Sequence, residues 1–142
     1  MKGVFTLIHL NRARRNHRIL LIALLGLLLL ALTGCREASV FDGSMTANDD
    51  GFTMEYTVLN KEQTAQISLA AGDQLQVTFA HTKGSVDVTV GMDGKEPLYK
   101  GSAQENAEFS LLVSEPGIYR ITVTGHQAKG RVAFIRVPQA VK

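Results

Sequence analysis

The 142-residue chain has no tryptophan, one cysteine, three prolines and three tyrosines. A single cysteine excludes an intramolecular disulfide, so a stable fold has to come from a packed core. The missing tryptophan counts against the exposed aromatic platforms on which many sandwiches bind glycans. Catalytic signatures are missing too. There is no Gly-x-Gly-x-x-Gly or Gly-Lys-Ser/Thr loop to cradle a phosphate, and no Gly-x-Ser-x-Gly elbow to present a nucleophile. Asp49 and Asp50 are adjacent, so they cannot hold two carboxylates apart across a substrate. After Gly34 only His81 and His126 remain as histidines, and no spacing supplies a third metal ligand. Both are expected at exposed strand ends or loops. The reading is of a non-enzyme with no cofactor and no metal.

Acidic residues are absent from residues 1–34, which carry Lys2, Arg12, Arg14, Arg15 and Arg18. Without those five, the formal net charge of +2 becomes −3, because ten basic residues then face thirteen acidic ones. The basic pI of about 8.8 therefore belongs to the N-terminal segment. The rest shows no run of Lys and Arg in sequence, which argues against a nucleic-acid partner.

A long basic stretch, Met1 to Arg18, precedes the 14-residue apolar run Ile19 to Leu32. That run suits the apolar, helical part of an export signal and falls short of the roughly 20 residues that span a bilayer core. Leu32-Thr33-Gly34-Cys35 follows at once and contains the only cysteine. It resembles the lipobox of bacterial lipoprotein precursors. The resemblance implies that Leu32, Thr33 and Gly34 are recognised by the lipoprotein signal peptidase, which cuts before Cys35. It also implies a diacylglyceryl group, with palmitate-like chains, on the Cys35 thiol. Two acyl chains anchor where one holds only marginally. The expected location is the extracytoplasmic face of a cell membrane, inner or outer, with the bilayer as partner. Two alternatives remain open: an uncleaved transmembrane anchor, and export by the twin-arginine route through Arg14-Arg15.

This divides the chain into a signal peptide (1–34), a lipidated cysteine with a flexible tether (35–51) and a domain (52–142). The tether reading rests on the small, polar, turn-forming residues of Glu37 to Gly51. Asn48-Asp49-Asp50-Gly51 is read as a solvated turn, since the further acidic positions of a calcium loop are missing.

The domain alternates apolar and polar residues with period two. The apolar phase is Phe52, Met54, Tyr56, Val58; then Ala65, Ile67, Leu69; Leu75, Val77, Phe79; Val86, Val88, Val90, Met92; Phe109, Leu111, Val113; and Tyr119, Ile121, Val123. Val132 to Val137 carries apolar residues in both phases and should be more covered. Leu98-Tyr99-Lys100 after Pro97 suits an edge strand. Asp93-Gly94 suggests a two-residue hairpin, Glu115-Pro116-Gly117-Ile118 a type II turn, and Ala71-Gly72-Asp73 and Lys83-Gly84-Ser85 further reversals. Seven or eight such strands predict an all-β, antiparallel, jelly-roll-like β-sandwich. Val77, Phe79, Val88, Phe109, Leu111, Tyr119, Ile121 and Val123 should share one interior.

Ile67 to Phe79 (ISLAAGDQLQVTF) and Glu115 to Gly125 (EPGIYRITVTG) resemble the jelly-roll domains of the bacterial pre-peptidase C-terminal type. The resemblance implies that fold and an auxiliary binding role, and it transfers no catalytic residue. Tyr99 is the best candidate for an exposed ligand-binding side chain, although a tyrosine packed in the core or at the sheet edge is the preferred reading. Arg131 and Arg136 read as a solvated face. The functional expectation is a membrane-anchored, non-catalytic binding or spacer module with an unidentified protein or glycan partner. The alternatives are an accessory subunit of a transporter or sensor, and a secreted hydrolase with an unrecognised site.

Overall fold

The computed structural model describes residues 20–25 and 38–140, and Leu32, Thr33, Gly34 and Cys35 lie outside them. Residues 20–25 form a short helical segment. Among the described residues no helix is long and apolar enough to cross a membrane.

Residues 38–140 are built from seven strands: β1 (Phe41–Asn48), β2 (Gly51–Leu59), β3 (Glu62–Leu69), β4 (Gln74–Gly91), β5 (Tyr99–Ala103), β6 (Ala107–Leu112) and β7 (Gly117–Val137). All pairings are antiparallel. β4 and β7 are much the longest, at 18 and 21 residues, and pair with each other along their length. Their register slips between His81 and Ser85. There both strands pass from one layer of an antiparallel, jelly-roll-like β-sandwich to the other. One layer runs β1, β2, the second half of β7, the first half of β4, then β6. The other runs β3, the first half of β7, the second half of β4, then β5.

Lys83-Gly84-Ser85 is therefore a bend inside one strand, where a chain reversal was expected. Gly84 (φ +70°), Gln127 (φ +49°) and Gly130 (φ +153°) leave extended geometry at this bend. Bulges of this kind let a strand turn a corner without ending. A side chain on Gly130 would run into the backbone of Ala80 and His81, so the two long strands come together only around a glycine.

The sandwich has two ends. The bend end gathers the bends of β4 and β7, the β2–β3 and β5–β6 connections and the start of β1. The far end gathers the β1–β2, β3–β4, β4–β5 and β6–β7 connections.

Residues 41–48, expected in the flexible tether, form edge strand β1. Its residues are exposed except the half-buried Phe41, so no apolar alternation marks it. Asn48 closes the β1–β2 hairpin by accepting the Asp50 and Gly51 amides at 3.0 and 3.1 Å, an Asx turn at the acidic run. Asp93-Gly94 lies in a turn closed by the Lys95 amide on the Met92 carbonyl at 3.2 Å, but the β4–β5 connection runs from Met92 to Leu98. Gly117 is not among the positive-φ residues, so the expected type II turn does not form there. The Tyr119 hydroxyl braces that segment by donating to the Glu115 carbonyl at 2.8 Å.

Val77, Phe79, Val88, Tyr119, Ile121 and Val123 are buried in one cluster, with Phe109 and Leu111 half-buried against it on edge strand β6. Val58 is 41% exposed and Leu59 fully buried, because a register shift between Tyr56 and Leu59 flips the end of β2. Ile121→Ala should cost about 2–5 kcal/mol. Half-buried Phe109→Ala should fall near the lower end, roughly 2 kcal/mol. Thr122 lies across from Thr64 and Thr89 on the outer phase, and Thr122→Ala should cost under about 1 kcal/mol. Urea denaturation of the three variants checks the order. Equal losses at Ile121 and Thr122 would contradict this register.

Candidate functional site

β5 and β6 are the free edges of the two layers on the same side, and their side chains meet across the gap. Tyr99 on β5 pairs with Val90, and Phe109 on β6 pairs with Val77. Their ring centroids lie 5.1 Å apart at 43°. Phe79 forms the floor, 5.8 Å from Phe109. Gly101 stands two residues along from Tyr99 and leaves the space its phenol occupies. The β5–β6 connection closes the bend end of this cleft, which encloses about 440 Å³. Ser102, Gln104, Glu105 and Asn106 supply polar groups at the rim. The Asn106 Oδ1 accepts the His81 amide at 2.8 Å, which fixes the side chain and leaves its NH₂ as a donor.

Tyr99 is thus half-buried in an aromatic cleft, packed at the sheet edge and partly open to solvent. Phe109, read as pure core, shares this cleft. Its apolar phase hid it, because an edge strand leaves even its inward side chains partly open.

A second groove of about 510 Å³ crosses the outside of the first layer, with Glu55, Thr57, Thr82, Lys129 and Arg131 in its walls. The Tyr56 ring points away from it into the core. A third cleft of about 350 Å³ lies at the far end between Lys95, Glu96, Glu115 and Tyr119.

The two histidines were expected to be exposed, and one is not. His81 is half-buried within β4, stacked 6.0 Å from Phe79, with Nδ1 3.3 Å from the Tyr56 hydroxyl. Burial pushes its pKa down, which favours the neutral ring. Its Nε2 is buried without a hydrogen-bond partner among the described residues. Burial likewise pushes the Tyr56 phenol up. His126 is exposed and pairs with Asp87 at 2.7 Å, while Ser102 donates to the other oxygen of Asp87. These two bonds hold the Asp87 carboxyl below its ordinary range. The carboxylate sits between serine and histidine, whereas nucleophile activation needs the imidazole in the middle. Among the described residues no cluster of three His, Cys, Asp or Glu side chains could hold a metal.

Among the described residues the most buried charge sits at the far end. Asp73 is 2% exposed. It accepts the Ala70 amide at 2.8 Å, the Arg136 Nε at 2.7 Å and the Gln139 amide at 3.4 Å. Arg136, read as part of a solvated face, instead clasps the β3–β4 turn to the end of β7. The Ala70 amide first, then Arg136 and Gln139, outweigh desolvation and lower the Asp73 pKa.

No family model matches the sequence, and no curated protein matches it. Among solved structures the chain is similar to one described as "CBM4 structure and function", with 11% identity, 75% of this chain and 83% of that chain covered, and a TM-score of 0.41. It is also similar to the Drosophila melanogaster CENP-C cupin domain, at 9% identity over 72% of this chain and 83% of that one, TM-score 0.36. The 11S globulin from Wrightia tinctoria follows at 14% identity over 70% of this chain and 28% of that one, TM-score 0.31.

Asp73→Ala strands Arg136 and the Ala70 and Gln139 amides, and should cost about 3–5 kcal/mol at pH 7. With a folded pKa below the unfolded value of about 3.9, the charge of Asp73 stabilises fully above that value. The contribution fades as pH falls through the folded pKa. Urea midpoints of wild type and Asp73→Asn should therefore converge below about pH 4; parallel curves down to pH 2 would refute the assignment.

Proposed function

We propose that the protein is an extracytoplasmic lipoprotein, anchored through Cys35, whose β-sandwich is a non-catalytic binding module with its ligand site in the Tyr99–Phe109 cleft. The observation that carries the binding role is the aromatic pair, with ring centroids 5.1 Å apart and an amide and a carboxylate at its rim. A sugar ring suits such a cleft: it has an apolar face to lie against Tyr99 and hydroxyls for Asn106, Gln104 and Glu105. The anchor is supported by Leu32-Thr33-Gly34-Cys35 directly after an apolar run too short to span a bilayer easily.

Mass spectrometry of the membrane-extracted protein should find residues 1–34 gone and a diacylglyceryl adduct on Cys35, and Cys35→Ser should abolish the adduct with folding intact. An unprocessed N-terminus would refute the anchor. Because the chain has no tryptophan, the emission of its three tyrosines is open to view and reports binding directly. Titration with an oligosaccharide panel should change that emission. Tyr99→Ala should weaken binding roughly tenfold, about 1.4 kcal/mol, while Tyr56→Phe leaves it alone. Equal affinity of Tyr99→Ala and wild type for every sugar bound would refute the cleft.

A further inference from the structure

One buried side-chain polar atom among the described residues lacks a hydrogen-bond partner, and it is the Nε2 of His81. Phe79 stacks on the His81 ring at 6.0 Å, and the Tyr56 hydroxyl stands 3.3 Å from Nδ1. Whichever of these two carries the shared proton, Nε2 is left alone. A neutral imidazole tolerates that arrangement. In an imidazolium, Nδ1–H would donate to the Tyr56 oxygen, but Nε2–H would be a buried, charged donor with nothing to accept it. Burial keeps the Tyr56 phenol protonated, so it supplies no negative charge. No carboxylate pairs with His81 among the described residues. Glu55 on β2, Lys129 and Arg131 on β7, Lys83 on β4 and Glu105 in the β5–β6 connection are all exposed and screened by water. Asp42, Lys61 and Glu62 at the same end are exposed as well, and Asp87 is already bonded to His126 and Ser102.

His81 is tied to the aromatic cleft twice. Its ring stacks on Phe79, the cleft floor, and its backbone NH donates to the Asn106 Oδ1 at 2.8 Å, in the connection that closes the cleft. It also pairs with Gly130 just before the register slips, and Gly84 follows with φ +70°. A bulge interrupts the ladder locally, so the sheet can open here without unfolding.

We infer that His81 is an acid-operated latch on the Tyr99–Phe109 cleft: a proton drives its ring out of the corner, frees Asn106 and loosens the β5–β6 connection. Its bearing on ligand binding rests on the reading of the cleft proposed above. Burial holds the His81 pKa below the ordinary 6.5. Well above 6.5, closed and open forms both carry a neutral ring, and the closed form keeps its full advantage. As pH falls below about 6.5, the open form gains a proton that the closed form does not take, and the advantage shrinks. It levels off once the closed ring itself titrates. For an open ring of ordinary pKa, the gain at about pH 5.5 is at most about tenfold.

Hydrogen exchange of the full-length, membrane-extracted protein reads the latch with no sugar present. Exchange times are scaled for the intrinsic slowing of amide exchange at lower pH. Between about pH 7.5 and 5.5, protection of residues 80–82 and 104–107 should fall roughly three- to tenfold. Protection of β3 and of residues 117–124 should hold. His126→Gln should keep the response, and His81→Gln, with no proton to gain, should abolish it. Should His81→Gln not fold, His81→Phe takes its place as an aromatic ring that cannot titrate. Unchanged protection in the wild type overturns the latch. A response that survives the His81 variant, or disappears in His126→Gln, belongs to another group and overturns it too. Failure of the cleft reading shows separately, as sugar binding that Tyr99→Ala leaves intact.

Discussion

The β4–β7 ladder has to change layers without breaking, and the other elements take their places from that requirement. Both strands pair across two layers, so any shift in their register would move residues of both sheets at once. The slip is confined to His81–Ser85 on β4, opposite Gly130 and its neighbours. On either side the inward phase is kept: Leu75, Val77 and Phe79 before the bend, Val86, Val88 and Val90 after it. Each shorter strand then adds to an edge that this folded ladder offers.

The bend also shapes the polar chemistry. Gly130, with no side chain, separates Tyr56 and His81 across the ladder and lets their rings touch inside the core. His126 and Asp87 emerge on the other strand halves, bonded to each other and to Ser102. The two histidines therefore share a corner of the fold but serve different surroundings, one neutral and half-buried, the other exposed beside a carboxylate.

Alternation made most of the fold legible in the sequence, since a strand with one buried face writes its phase directly into the residues. Connections were harder. Lys83-Gly84-Ser85 has the composition of a reversal, and only pairing with β7 shows it to be a corner. β1 was invisible because an exposed edge strand places no demand for apolar residues on either phase. The site was legible in half: Pro97 pointed to the edge strand bearing Tyr99, whereas Phe109 looked like ordinary core. Arg136 and Asp73 lie 63 positions apart, and no local pattern links them.

The placement of β1 has a mechanical side. It starts at the end of the sandwich where the chain enters and runs along β2 to the opposite end. A pull applied at Ala38 and directed away from the domain acts along the strand, so it loads the β1–β2 hydrogen bonds in shear, many at once, and does not unzip them singly. The Asn60 amide NH₂ donates to the Ala38 carbonyl at 2.9 Å, and its backbone NH to the Val40 carbonyl at 2.8 Å, next to the point of the pull. Resistance to such a pull is set by the rate of forced unfolding and is separate from equilibrium stability. The edge strand that contributes least to the core is thus the element through which tension enters the fold.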